Sequence, residues 1–364
     1  MLATTQLRAL GQSLWLDNIT RELLNSGTLQ RYVNELSVTG LTSNPTIFDQ
    51  AIGQTDAYDE AIHQKVRDGK SGEALFFDLA LQDLTQAAAL FRPAHEATHG
   101  VDGWVSLEVS PLLAEDTAGT IEAAKRLHAA ARCPNLFIKI PGTAAGVPAI
   151  EESIFAGVPV NVTLLFSREQ YVAAADAYWR GIQRRIDAGL DPKVHSVASV
   201  FISRWDKLVA DKVPAALRNR LGIAIAQRAY KAYCERLASP AARKFADAGA
   251  LTQRLLWAST GTKDPQLPET YYVDALAAPN TINTMPEKTL QALAAHVESI
   301  SVMRPDGGDA ESMLADFARA DVDFMALAEQ LQREGAQSFT KSWNGLLAAI
   351  ASKSGESGPP PARK

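Results

Sequence analysis

Five polar residues stand late in segments that otherwise read as buried strands: Asp17, Glu108, Lys139, Asn161 and Thr163. Lys139 is the most informative of them. Residues 135–142 read N-L-F-I-K-I-P-G, a run as apolar as a parallel strand covered on both faces. Lysine is rarely buried, because taking an ammonium out of water is costly unless it is paired or neutralised. Burial favours the neutral amine, which is the nucleophilic form and the one that makes Schiff bases. Taken alone, the stretch also fits a lysine at a strand end that reaches solvent. The full set favours chemistry: Lys139 attacks a ketone to give a carbinolamine and then an imine. Glu108 with Thr163 handles the water and protons, and Asp17 takes the proton of the C4 hydroxyl as the adjacent C–C bond breaks. Each proton-transfer role is worth about 10²–10⁴-fold in rate. A structural ion-pair network at the same place is the competing reading, but it has little need of an amine and two carboxylates with hydroxyl and amide partners.

The elements that must position these residues follow from the pattern. Strands are expected at 14–17, 37–42, 104–109, around Lys139, and at 158–164, 195–201, 254–258 and 280–284. Helices are expected over about 21–35, after Asn44 and Pro45 (N-cap and N1 types), and over 57–67, 72–91, 118–132 and 168–188. A long helical region after 201 is interrupted near 213–214 and 239–240. Helices over 286–299, 308–334 and 337–351 complete the chain. Successive strand residues face opposite ways. Leu14 and Leu16 therefore oppose Trp15 and Asp17, Val105 and Leu107 oppose Ser106 and Glu108, Ile138 and Ile140 oppose Phe137 and Lys139, and Val160 and Val162 oppose Asn161 and Thr163. One face is wholly apolar and suits a helix layer. The other carries the polar residues, which in a barrel converge inside the C-terminal mouth. The expectation is an α/β (β/α)8 TIM barrel with additional N- and C-terminal helices. It is read as one domain over 1–351, followed by a disordered tail over 352–364. A doubly wound sheet would show a similar alternation.

Composition narrows the function. The 364 residues are 46% hydrophobic and 21% charged with a formal charge of −5, so neither nucleic acid nor an anionic membrane is an expected partner. Two cysteines cannot build a disulfide framework, and the start lacks a basic flank with an apolar signal core. A cytoplasmic protein is expected. Neither G-x-G-x-x-G nor a Walker A loop occurs. His95-Glu96-Ala97-Thr98-His99 matches H-E-x-x-H, a zinc pattern that requires a continuous helix. Pro93 before it and Gly100 after it leave at most a frayed turn in a loop, so a chance match is the expected reading and no metal or cofactor is expected. His195, at the start of the sixth strand, is read as structural.

Several motifs in order resemble transaldolase, a class I Schiff-base barrel enzyme of the pentose phosphate pathway. They are T-G-L-T-S-N-P-T-I-F (39–48), D-G-W-V-S-L-E-V-S-P (102–111), N-L-F-I-K-I-P-G-T (135–143), V-N-V-T-L-L-F-S (160–167) and A-S-V-F-I-S-R-W-D (198–206). N-T-M-P-E-K-T-L (283–290) is similar to the longer bacterial branch. The resemblance implies sugar-phosphate substrates, with Lys139 as Schiff-base lysine, Asp17 as acid/base, and Glu108 and Thr163 at the catalytic water. It further implies Asn44 and Asn161 on substrate hydroxyls, Ser199 and Arg204 as hydroxyl and phosphate contacts, and Ser259 as a second phosphate contact. Where many members carry another phosphate-binding arginine, this chain reads A-S-T-G-T-K-D (258–264). Lys263 is the candidate substitute, though a lysine is a point charge rather than a fork, and a solvated loop lysine reads equally well. Fructose-6-phosphate aldolases of the same superfamily place glutamine at the position of Glu108. That rival, a non-catalytic sugar-phosphate-binding barrel and a monomer or homodimer are the remaining alternatives.

Overall fold

The computed structural model describes residues 2–296 and 300–355. Eight parallel strands close in chain order into a barrel: β1 (Ser13–Asp17), β2 (Val38–Thr42), β3 (Val105–Glu108), β4 (Leu136–Pro141), β5 (Val160–Leu165), β6 (Ser196–Phe201), β7 (Arg254–Ala258) and β8 (Ile282–Met285). Closure is direct, with β1 pairing to both β2 and β8. Helices occupy the crossovers, Ala3–Leu10 precedes β1, and Ala310–Arg319 and Phe324–Lys353 follow the last strand. This is the (β/α)8 barrel with terminal helices.

The two strand faces part as the alternation requires. Leu14, Leu16, Val105, Leu107, Ile138, Ile140, Val160 and Val162 pack outward into the apolar layer beneath the helices. Trp15, Trp104, Phe137, Val197, Leu256 and Ile282 fill the lower interior, where Trp104 stacks on Phe137 with ring centroids 4.1 Å apart. Gly40 of β2 makes room for this plug: a Cβ there would lie 2.6 Å from the Trp104 carbonyl oxygen and 2.7 Å from the Trp15 ring. Below it Asp102 closes the floor, accepting from Ser13 Oγ (2.5 Å), Trp15 Nε1 (2.8 Å) and Thr39 Oγ1 (2.7 Å). Arg254 donates there to Ser13 Oγ and to the carbonyl of Thr281.

Several expected helices are corrected. The single helix over 21–35 is two, Arg21–Asn25 and Thr28–Glu35, divided where Gly27 takes φ +74°. Thr20 caps the first by accepting from the Leu23 amide. A helix not anticipated between β4 and β5, Gly146–Phe155, buries Ile150 and Ile154. The helix from Gly72 continues through Pro93 to Ala97. A proline costs the ladder one donor without necessarily ending it. His95 and Glu96 are therefore helical rather than in a loop. His99 lies beyond the end with φ +50°, so the two histidines do not share a helix face. His95 instead packs edge-on against Trp104, which His195 also contacts. Gly72–Ala97 is long and apolar enough to cross a membrane by length and composition alone. Its apolar side chains (Leu75, Phe76, Leu79, Leu84 and Phe91 among them) are buried in the barrel's outer layer, and Asp83 within it pairs with Arg21.

Near the C-terminus the break falls at 320–323 rather than at 335–336. Asp323 caps the last helix through the amides of Met325 and Ala326, and Gly335 stays helical. That helix runs to Lys353, past the expected start of the tail, and 356–364 lie outside the described residues. The helix expected over 286–299 is Glu287–Ala295, and its last three expected positions are likewise outside them.

Candidate active site

At the C-terminal end of the strands the register sets charged and polar residues side by side. Glu108 of β3 is the partner of Lys139 of β4, which is the partner of Asn161 of β5. Lys139 Nζ lies 3.0 Å from Glu108 Oε2, with both side chains nearly inaccessible (6% and 4%). The contact is an ion pair, off hydrogen-bond alignment, while Nζ donates to the Ser43 carbonyl at 2.9 Å. Burial pushes the Glu108 carboxyl above its ordinary range, and the charge of Lys139 holds part of that rise back.

Asp17 ends β1 and opens to a cavity of about 1010 Å³ at the barrel mouth. Burial raises its pKa, opposed by Lys139, by the 2.7 Å hydrogen bond donated by Thr42 and by the more distant Arg204 and Lys263. Thr42 is itself 2.7 Å from Thr284. Thr163 is fully buried, lines the cavity, and its Oγ1 has no hydrogen-bond partner among the described residues. Such an orphaned hydroxyl is a place for a water or a ligand oxygen. Asn161 donates to Ser106 Oγ (3.1 Å) and accepts from Ser199 Oγ (2.7 Å), which orients its amide.

Asn44 caps the helix Pro45–Gln54 by accepting from the Ile47 amide, with Pro45 at the first helical position. Its Oδ1 is engaged in the cap while the side chain lines the cavity. Across the mouth, Arg204 comes from the helix Ser203–Val209, and burial lowers its pKa against the charges of Asp17 and Glu108. Ser259, with φ +56°, directs its Oγ to within 3.0 Å of Ser203 Oγ. Lys263 lines the same end, its pKa lowered by burial and then by the neighbouring cations Arg204 and Lys207.

Of the ten residues singled out from the sequence, Asp17, Asn44, Lys139, Thr163, Ser199, Arg204, Ser259 and Lys263 line this one cavity. Glu108 and Asn161 are not on its wall and reach it through Lys139 and Ser199. The family model described as Transaldolase/Fructose-6-phosphate aldolase matches residues 14–350. The chain belongs to that family.

Full-length relatives agree with it. A transaldolase from Frankia alni is 44% identical over 97% of this chain and 98% of its own length. One from Thiobacillus denitrificans is 41% identical over 96% of this chain and all of its own. One from Neisseria meningitidis is 38% identical over 96% of this chain and all of its own. With the family in hand, the residues not foreseen become clear. Thr42 and Thr284 flank Asp17, and extending the alternation to β2 and β8 would have found them. Lys207 and Lys212 add positive charge at the rim. Leu331, Glu334, Ser338 and Phe339 bring one wall of the cavity from the last helix, and no local pattern places that helix over the mouth.

Proposed function

We propose that this enzyme reversibly transfers a dihydroxyacetone unit from sedoheptulose 7-phosphate to glyceraldehyde 3-phosphate, giving erythrose 4-phosphate and fructose 6-phosphate through a Schiff base on Lys139. The carrying observation is the buried Lys139–Glu108 pair, 3.0 Å apart, with Lys139 opening onto a cavity that Asp17 also lines.

The steps follow from these groups. Lys139 gives up a proton and attacks C2 of the ketose, forming a carbinolamine. Loss of water yields the protonated imine. Glu108, whose raised pKa suits a group that both takes and gives a proton, serves these transfers, and the free Thr163 hydroxyl holds the departing water. Asp17 then removes the C4 hydroxyl proton. The C3–C4 bond breaks, the aldehyde leaves, and the bond's electron pair neutralises the iminium as an enamine. Attack of that enamine on the acceptor aldehyde, with Asp17 returning the proton, and hydrolysis of the imine close the cycle. Asn44 and Asn161 bind sugar hydroxyls, and Ser199, Arg204, Ser259 and Lys263 form the polar and phosphate end. The acidic net charge of −5 agrees with a cytoplasmic enzyme whose partners are sugar phosphates rather than nucleic acid or membrane. We read it as a monomer or homodimer.

The test is to incubate the protein with fructose 6-phosphate and no acceptor, reduce with borohydride, and map the product by mass spectrometry. A reduced three-carbon adduct on the Lys139 peptide is expected, with glyceraldehyde 3-phosphate released, and sedoheptulose 7-phosphate accumulating once erythrose 4-phosphate is added as acceptor. Turnover with Lys139 unmodified would overturn the mechanism. Sustained release of free dihydroxyacetone without acceptor would mark an aldolase instead.

A further inference from the structure

We propose that Phe339, on the last helix, is a positioning residue for Arg204 and so sets the preference for phosphorylated sugars. The inference rests on Arg204 being the phosphate contact, as read above. The guanidinium carbon of Arg204 lies 5.0 Å from the Phe201 ring centroid and 5.7 Å from that of Phe339. One ring comes from the end of β6 and the other from a helix more than a hundred residues later in the chain. Both rings are buried, and Phe339 also lines the cavity. An arginine flanked by aromatic rings keeps its charge while losing the freedom to swing, and a fork that binds phosphate through two parallel hydrogen bonds depends on orientation.

The helix that delivers Phe339 is seated by the strands that carry the chemistry. Gln332 Nε2 donates to the carbonyls of Gly142 (3.0 Å), just beyond β4, and Leu164 (2.9 Å), in β5. Gly335 lies one turn before Phe339 on the same side. A Cβ at Gly335 would stand 2.9 Å from Leu164 Cδ2 and 3.2 Å from a guanidinium nitrogen of Arg204. A mid-helix glycine is ordinarily unfavourable, and here it permits the helix to press against the arginine. Gln332, Gly335 and Phe339 thus form one face, which ties the position of Arg204 to the strands bearing Lys139 and Thr163.

The experiment compares KM and kcat for glyceraldehyde 3-phosphate and for unphosphorylated glyceraldehyde as acceptors, in Phe339→Leu, Phe339→Tyr, Gly335→Ala and Arg204→Gln. Phe339→Leu is expected to raise KM for the phosphorylated acceptor about tenfold more than KM for glyceraldehyde. Phe339→Tyr keeps the ring and restores KM. Gly335→Ala crowds the arginine without removing apolar packing and raises the same KM, which keeps the test intact if Phe339→Leu folds poorly. An unchanged KM in both Phe339→Leu and Gly335→Ala, or an equal loss for both acceptors, would overturn the positioning role. Arg204→Gln separates the two readings. If it abolishes the phosphate preference while the Phe339 and Gly335 variants do not, the positioning role alone fails. If it leaves the preference intact, the Arg204 reading fails and the positioning role with it.

Discussion

Lys139 and Glu108 are unequal members of one buried pair. Removing the lysine leaves a carboxyl that can neutralise itself by binding a proton, because burial already lifts its pKa above the ordinary 4.5. Removing the carboxylate leaves the Lys139 amine beside the Ser43 carbonyl without its counter-charge. Lys139→Met is therefore expected to fold, with neither turnover nor borohydride adduct. A carboxyl whose pKa is higher in the folded state than in the unfolded one stabilises the fold fully below about pH 4.5 and less as pH rises through the folded value. Urea unfolding of Lys139→Met should accordingly show a deficit relative to the parent of about 3–5 kcal/mol at pH 8, and a smaller one at pH 5. A deficit independent of pH would contradict the unpaired-carboxyl account. Glu108→Gln keeps the shape and loses the proton carrier, so kcat should fall by about 10²–10⁴-fold. Single-turnover kinetics would assign that loss to imine formation and hydrolysis.

At the level of elements, the chain caps some helices locally and others across space. Thr20, Asn44 and Ser167 cap the helices that follow them, in the manner expected of those residue types. The helix Leu221–Ala238 has no cap of its own. Asp206, on the helix bearing Arg204, accepts from the amides of Leu221 (2.9 Å) and Gly222 (3.3 Å) and from Tyr272 Oη (2.8 Å). Burial pushes the Asp206 pKa from 3.8 up to about 6 despite those donors, a difference equivalent to roughly 3 kcal/mol. The parent should lose that contribution progressively as pH rises from about 4 to about 6, because the folded state holds the proton that the unfolded state releases. His195 acts in the opposite sense, since burial lowers its pKa from 6.5 to about 4 and its contribution is lost as pH falls across that range. The difference between Asp206→Asn and the parent isolates the aspartate. It should move in favour of the variant by up to about 3 kcal/mol between pH 4 and pH 6, and a flat difference in urea unfolding would refute it. Elsewhere the outward and inward strand faces could be read from alternation. The division at Gly27, the helix Gly146–Phe155 and the continuity through Pro93 and Gly335 could not, because each depends on what packs against the segment.

Across the whole molecule, chemistry and stability occupy opposite ends of the barrel. The C-terminal mouth concentrates a buried amine, carboxylates with raised pKa values and an unpartnered hydroxyl, none of which favours the folded state. At the N-terminal floor Asp102 joins Ser13, Trp15 and Thr39 beneath the stacked rings of Trp104 and Phe137. Asp102→Ala leaves four donors, the side chains of Ser13, Trp15 and Thr39 and the Gly103 amide, without their acceptor and should cost on the order of 3 kcal/mol. Its KM and kcat, assayed well below the melting midpoint, should stay unchanged. A change in KM would show that floor and mouth are coupled. The sequence alone determined which residues could do chemistry and which way they face, since strand alternation is local and eight apolar stretches leave few positions for an amine and carboxylates. Tertiary structure alone decided which residues meet: Glu108 with Lys139 through register, Asp206 with a helix it does not belong to, and Phe339 with Arg204. Those contacts join segments far apart in the chain, and their selection depends on barrel closure and on the seating of the last helix, neither of which is set by a residue and its near neighbours.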